Sequence, residues 1–392
     1  MHDIVIVGAG PAGALTAARL AAHGHDVVVL EEHHDIGAPV HCTGLLGFEA
    51  FDEFDLPRSL ILANAGAARF SSATGQSVRV SSDRITAAVI DRQGLDRWLV
   101  DRATLAGADV RCGARAEHVA VHDRHVSVTV RDDPHPIEAR ALVLACGANY
   151  RFHRALELGL PDVFLQSAQV ETSFAEMPDI EVQFGREVAP AGFAWMVPFK
   201  RGDVPYARIG LMSQTRAGDR FATFATSLAS KAGLNGGTIP DPRHKMLPLG
   251  PVRKTYATRV VAIGDAAGLV KPTTGGGIYY GLLSGSIAAE VLHEGLLQDR
   301  LSERFLARYE TRWKRRLGHE IRVGLAFRQI VARLNDESIE ALIDLARVDG
   351  IVPLLQQTAS FNWHRKAAVA LLGHPAFRRI VFRSWTRSVT SV

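Results

Sequence analysis

Near the amino terminus, Gly8-Ala9-Gly10-Pro11-Ala12-Gly13 carries glycines at G-x-G-x-x-G spacing, and an acid, Glu31, follows at the distance a dinucleotide site needs. In that pattern Gly8 permits a tight turn, Gly10 lets backbone approach a pyrophosphate, and Gly13 lets a helix pack closely on a strand. The pyrophosphate would rest on the free N–H groups of a helix start, where the dipole favours negative charge. Glu31 can accept hydrogen bonds from a ribose diol and disfavours a 2′-phosphate, so the site suits FAD or NAD better than NADP. A second set lies far downstream, Gly264-Asp265 and then Gly275-Gly276-Gly277-Ile278. It supplies a carboxylate for a ribityl hydroxyl and a second helix start facing the same ligand. Each motif alone also fits an ordinary glycine-rich turn; strand, helix, second strand and acid in order favour dinucleotide binding.

The elements that must position these residues can be read from hydrophobic patterning. Residues 4–7 form a short apolar run that predicts a buried parallel strand, an Ala-rich helix follows over 11–23, and a second strand over 26–30 leads into Glu31. Gly and Pro make 36–45 a shaped loop, which holds His41 and Cys42. Residues 59–90 suggest mixed β structure with a strand at 77–80, and Asp91 is a plausible N-cap for a helix reaching 105. A hairpin-like insertion is expected over 114–130, and the apolar run 139–145 returns the chain to the parallel sheet. Strand candidates then recur at 164–171, 180–184, 193–197 and 207–212, with one amphipathic helix near 220–232. Residues 259–263 form another buried strand, and a helix follows from Ile278 to about 296.

This pattern predicts an α/β protein: a Rossmann-like FAD-binding domain, a β-rich substrate domain and C-terminal helices. The expected boundaries are 1–70, 85–150 and 251–300 for the discontinuous FAD-binding domain. The β-rich domain takes 71–84 and 151–250, and a helical region takes 301–392. Phe305, Tyr309, Trp313 and Leu317 recur at helical spacing, a core-packing pattern. Arg365, Lys366, Arg378, Arg379, Arg383 and Arg387 lie among Phe377, Phe382 and Trp385. Such a helix can lie on an anionic membrane; the plainer reading, a solvated Arg face over a packed apolar face, is favoured.

Composition narrows the function classes. A chain of 392 residues can bury a large core and form two domains. Its three cysteines, Cys42, Cys112 and Cys146, show neither metal spacing nor an even disulfide set, so a reducing compartment is expected. With a strand starting at residue 3, no signal peptide is expected, and no apolar run is long enough to span a membrane. A net charge of +4 does not argue for nucleic acid, and no nucleic-acid-binding motif is present.

Together these features resemble a flavoprotein of the p-hydroxybenzoate-hydroxylase fold and, within it, the geranylgeranyl reductase family. The glycine motif with Glu31, and Gly264-Asp265 with Gly275-Gly276-Gly277-Ile278, are shared by the wider FAD superfamily. Two features are more specific: Pro39-Val40-His41-Cys42-Thr43-Gly44 resembles the family's P-x-x-C-x-G loop, and Phe193-Ala194-Trp195-Met196-Val197-Pro198 its Y-x-W-x-F-P motif. Phe193 and Val197 depart from that motif, the following G-x-G is reduced to Gly210, and Cys146-Gly147-Ala148-Asn149 stands where the superfamily has G-A-D-G. The resemblance covers the whole chain.

The resemblance implies FAD as cofactor, with contacts at Ala12, Glu31, Cys42, Gly44 and Arg92, and at Ala116, Asp265, Gly277 and Ile278. Arg92 would bring a cation near the pyrophosphate, and Ala116 would meet the adenine through its backbone. It also implies reduction of isoprenoid C=C bonds by hydride transfer. Phe193 and Trp195 would line an apolar slot that excludes water. Cys42 would be a proton donor or positioning residue, and the alternative, a small residue packing the flavin loop, stays open. Cys112 and Cys146 are read as structural, and His41 as a hydrogen-bonding loop residue.

Two other readings remain. A flavin-dependent monooxygenase using NAD(P)H and oxygen needs little more than a flavin and an apolar pocket. The related halogenases carry W-x-W-x-I-P but need a lysine from the flavin half, and the first lysine here is Lys200. An electron-transfer flavoprotein passing electrons to a quinone would need an iron–sulfur cluster from a partner, since three scattered cysteines cannot hold one. The electron donor is expected to be NAD(P)H or a ferredoxin-like protein. The expected location is cytoplasmic, with peripheral contact on the inner face of the membrane as the working hypothesis for a lipid substrate.

Overall fold

The computed structural model describes residues 1–81, 87–231, 239–348 and 350–389, without the side chains at 230–231 and 385–389. Ala232, the expected end of one helix, and the side chains of Trp385 and Arg387 thus lie outside the described residues. The described chain forms two compact units, Met1–Val40, Arg92–Val163 and Pro248–Ile321 in the first, and His41–Asp91, Phe164–Leu247 and Arg322–Val392 in the second.

In the first unit, the runs of Val, Ile, Leu and Ala that predict buried strands pair in parallel. The order is Val260–Ala262, Ile137–Leu144, His2–Val7, Val27–Leu30 and Asp109–Arg111. Val7 pairs with both Leu144 and Leu30, and Leu144 with Ala262, so the central strands end level with one another. Both faces are covered, which is why the strands are continuously apolar rather than alternating. The hairpin Ala116–Val121 and Val126–Val130 adds antiparallel to Ile137–Leu144. Helix Pro11–Ala22 packs against helices Arg92–Leu105 and Ile278–Leu297. A Cβ on Gly285 would stand 2.6 Å from Thr16 Oγ1 and 2.7 Å from the Ala12 carbonyl oxygen, so a bare glycine lets two helices touch.

In the second unit, seven strands run in the order Arg243–Pro248, Phe164–Ser173, Val204–Ser213, Phe193–Arg201, Ile180–Gln183, Ala67–Ser71 and Ser77–Ser81. One face, with Ala168, Ala194, Met196, Ile209 and Leu211, is buried under Phe221, Phe224 and Leu228 of helix Ala217–Lys231. Strand alternation puts Gln169, Glu171, Trp195, Arg208 and Gly210 on the opposite face. A smaller sheet joins Leu45–Gly47, Ala87–Ile90 and Ile61–Ala65. Among the terminal helices, Pro375–Val389 buries Phe377 and Val381 beside Phe327, Leu334 and Leu342, and leaves Arg378, Arg379, Phe382 and Arg383 exposed. The packed apolar face expected from the sequence is present, but Phe382 is not part of it, at 67% exposed. Among the described residues, no helix is long and apolar enough to cross a membrane.

Candidate active site

The level ends of the parallel strands gather the glycine motif, Glu31, Cys146-Gly147 and Gly264-Asp265 at one sheet edge. This is the carboxyl edge, where open α/β sheets bind ligands. The glycines there do different work. Gly8 has φ +107°, and a Cβ on it would come 2.4 Å from the Ala145 carbonyl oxygen. At Gly13 a Cβ would come 2.0 Å from the Gly8 carbonyl oxygen, so this residue lets helix and turn meet. At Gly10 a Cβ would meet nothing within 4 Å. The protein itself does not need a glycine at that position; a ligand lying on the turn would.

Two helices start at this edge with no side-chain cap, one after Gly10 and one after Gly277. Their first N–H groups lack intrahelical acceptors and suit an anion or a polar ring edge. Glu31 is already oriented: Oε2 accepts the Ala9 N–H at 2.9 Å, and Oε1 accepts the His33 N–H at 3.0 Å and lies 2.6 Å from His33 Nδ1. Asp265 sits on the 3-10 turn Gly264–Ala267. Its carbonyl accepts the Tyr150 hydroxyl at 2.7 Å, and the next carbonyl, of Ala266, lies 2.6 Å from His153 Nε2. Burial pushes the His153 pKa down, so a neutral ring with its proton on Nε2 donates to that carbonyl. A Cβ on Gly277 would come 2.5 Å from Asp265 Oδ1, so the missing side chain leaves the carboxylate room beside the helix start. Ala12 faces Gly264 and Gly281 across the same junction.

Arg92 and Ala116 belong to the first unit, and each is already engaged. Arg92 Nη2 reaches both oxygens of Asp96, at 2.8 and 3.0 Å, one turn along its own helix. The Ala116 carbonyl accepts Arg151 Nη1 at 3.1 Å. Cys146 bonds through Sγ to the Asn149 carbonyl at 3.2 Å, and burial pushes its thiol up to about 12, which keeps it protonated and unreactive.

Cys42 and Gly44 lie in the second unit with Phe193 and Trp195. Cys42 is partly exposed, and its sulfur accepts the Gly44 N–H at 3.4 Å. His41 makes the loop bond expected of it: Nε2 lies 2.9 Å from the Arg243 carbonyl, and burial lowers its pKa. Thr43 Oγ1 donates to Gln169 Oε1 at 3.1 Å, and the same oxygen accepts Trp195 Nε1 at 3.2 Å. One amide thus ties the Cys42 turn to the indole. Phe193 meets Trp195 edge-on at 5.8 Å between centroids, and Phe184 and Phe70 extend the aromatic surface at 5.9 and 6.3 Å. Gly210, directly opposite Trp195 in the sheet, lies under the ring; a Cβ there would come 2.6 Å from the indole and 2.9 Å from the Ala168 carbonyl oxygen. Gly210→Ala is therefore expected to destabilise the protein by about 1–3 kcal/mol. Urea unfolding checks this, and an unchanged midpoint would mean the indole is free to lift away.

Sequence reasoning missed Gln169, Glu171 and Arg208. They fall on the polar side of alternating strands, which reads as a solvated face. No signal in the pattern separates an inward polar face from an outward one.

A family model described as lycopene cyclase protein matches residues 3–345. A digeranylgeranylglycerophospholipid reductase of Methanocaldococcus jannaschii is 30% identical over 366 residues, covering 90% of this chain and 92% of the relative. A digeranylgeranylglycerophospholipid reductase 2 of Methanopyrus kandleri is 31% identical over 388 residues, again covering 90% and 92%. A crystal structure described as geranylgeranyl bacteriochlorophyll reductase-like, from Thermoplasma acidophilum, superposes with a TM-score of 0.82 at 22% identity, over 97% of this chain and 98% of the other.

Proposed function

The chain belongs to the geranylgeranyl reductase family, with the digeranylgeranylglycerophospholipid reductases it aligns with, and on that premise we propose that it is an FAD-dependent reductase of isoprenoid C=C bonds. One observation carries this reading: the convergence of Gly10, Glu31, Asp265 and two uncapped helix starts at a single sheet edge. The donor set fits FAD. The open space at Gly10 admits a pyrophosphate, Glu31 offers carboxylate oxygen to the ribose, and Asp265 offers it to the ribityl chain. Ala12 and Gly13 keep the first helix close to the turn, and Gly277 and Ile278 begin the second helix beside Asp265. Cys42, Gly44, Arg92 and Ala116 are the further contacts this reading assigns.

FAD, when bound and reduced, supplies the hydride for the alkene. An isolated C=C bond is unpolarised, so the second carbon must receive a proton. The Cys42 thiol is the donor in this reading, on a turn held by the Thr43–Gln169–Trp195 bonds. Phe193 and Trp195, with Phe184 and Phe70, offer an apolar surface suited to a polyprenyl chain and unsuited to water. NAD(P)H or a ferredoxin-like protein returns the electrons. Oxygen uptake stoichiometric with NAD(P)H consumption and lipid hydroxylation would replace this reading with the monooxygenase one; uptake independent of lipid is what a reductase gives.

A polyprenyl lipid sits in a membrane, and peripheral contact follows from the substrate. The exposed Arg365, Lys366, Arg378, Arg379 and Arg383, with Val369 at 54% and Phe382 at 67% exposed, are the surface we assign to it. Arg378→Glu with Arg379→Glu is expected to weaken binding to phosphatidylserine-containing vesicles at least ~10-fold, since basic residues add to anionic-surface affinity one by one. Vesicle sedimentation reads this, and unchanged binding would exclude the terminal helix.

A further inference from the structure

Arg208 lies mid-strand in Val204–Ser213 and is 1% exposed. A buried guanidinium is costly unless its donors and charge are met. Here Nε donates to Glu171 Oε2 at 2.9 Å, and Nη1 donates to the Thr43 carbonyl at 2.8 Å and the Ile90 carbonyl at 3.0 Å, while Nη2 is enclosed without a hydrogen-bond partner among the described residues. The guanidinium also lies over the Phe199 ring, 4.7 Å from its centroid. Glu171 is shared, because Oε1 accepts Arg201 Nη2 at 2.8 Å and Nε at 3.1 Å.

The turn is shaped to this cation. Gly44 has φ +66°, and a Cβ on it would come 2.2 Å from Arg208 Nη1 and 2.9 Å from the Ile90 carbonyl oxygen. The positive φ, the Arg208 side chain and the Ile90 carbonyl all call for glycine at this position. The Gly44 N–H points at Cys42 Sγ, 3.4 Å away, so the donor that orients the thiol sits on the residue packed against the guanidinium. Thr43, between them, is held at both ends, by Arg208 through its carbonyl and by Gln169 through its hydroxyl.

We propose that Arg208 is a positioning residue for Cys42, fixing the direction of the thiol through Thr43 and Gly44, with Glu171 setting the pose of the guanidinium. This rests on the reductase reading only for its effect on turnover; the control of the thiol stands apart from it. The planar fork of arginine reaches a carboxylate and two carbonyls from separate, fixed nitrogens, a geometry that the single nitrogen of lysine does not reproduce.

The test uses the full-length flavin-loaded protein, with Arg208→Lys and Glu171→Gln. Iodoacetamide labelling of Cys42, followed by peptide mass spectrometry across pH, reads the thiol directly and separates it from Cys112 and Cys146. Both variants are expected to shift the Cys42 labelling profile. In Arg208→Lys, kcat should fall at least ~10-fold with KM within about threefold, the pattern of a misplaced reacting group. A merely structural Arg208 would lower the thermal midpoint and flavin content together, while Cys42 labelling in the folded fraction overlaid the wild type; that result overturns the proposal. Should Arg208→Lys fail to fold, Glu171→Gln carries the same labelling test, and an unshifted profile there overturns it too. A wild-type protein inactive on polyprenyl lipids would sink the reductase reading, while a shifted labelling profile would still support control of the thiol by Arg208.

Discussion

Gly10→Val is expected to yield a folded, colourless protein. Gly10 has φ −64° and ψ 176°, backbone that valine adopts readily, and its side-chain direction is open for 4 Å. The cost to the apoprotein is that of a poorer helix cap, about 1 kcal/mol, or a shift of a few degrees in Tm. A bound pyrophosphate would meet the new isopropyl group where it now meets backbone. Flavin affinity should fall at least ~100-fold, or about 2.7 kcal/mol. Gly8→Ala is the control. Its φ of +107° and the 2.4 Å approach to the Ala145 carbonyl make any side chain a strain on the fold, so that variant loses stability with or without flavin. The comparison is between apoproteins, because flavin binding itself raises Tm. Flavin retained by Gly10→Val would mean that the turn does not carry the pyrophosphate.

Cys42→Ala is expected to keep its flavin and its fold and to lose alkene reduction by roughly 10²-fold, at the low end of what a positioned proton donor contributes. The fold should survive because Cys42 is partly exposed and its sulfur accepts only the weak Gly44 N–H bond at 3.4 Å. The turn keeps its other anchors, Thr43 to Gln169 and Arg208 to the Thr43 carbonyl. Single-turnover reoxidation of reduced enzyme separates the step from flavin reduction. A Cys42→Ala rate within about threefold of wild type, far below the general-acid range, would leave Cys42 only a packing role. Cys146→Ala is the matched control, since burial holds that thiol at about 12 and its hydrogen bond stays within its own loop.

The parallel sheet of the first unit is legible in the sequence because its signals are local. Residues 4–7, the glycine spacing and Glu31 follow one another along the chain, and the strand register then brings Asp265 to the same edge. Continuous apolar runs announce buried parallel strands, and small residues announce close contacts. The second unit hid its polar network for a physical reason. Gln169, Glu171 and Arg208 alternate with buried residues as a solvent-facing row would, and only pairing across strands reveals that Arg208 is enclosed. Gly44 shows the same limit. The family resemblance assigns its backbone to the flavin, and nothing in the local sequence tells that its Cβ side is filled by the Arg208 side chain, from a strand far along the sequence. Spacing singles out Glu31 as a candidate, but its bonds to Ala9 and His33 depend on a turn that spacing does not describe.

Alkene reduction by the bound flavin is tested anaerobically. The purified protein, loaded with FAD and reduced by dithionite, is mixed with a geranylgeranyl lipid while flavin absorbance and lipid mass are followed together. An alkene reductase reoxidises its flavin without oxygen, and the lipid gains two mass units per saturated bond. Flavin that stays reduced until air is admitted, with oxygen then appearing in the lipid, would contradict alkene reduction and make the protein a monooxygenase.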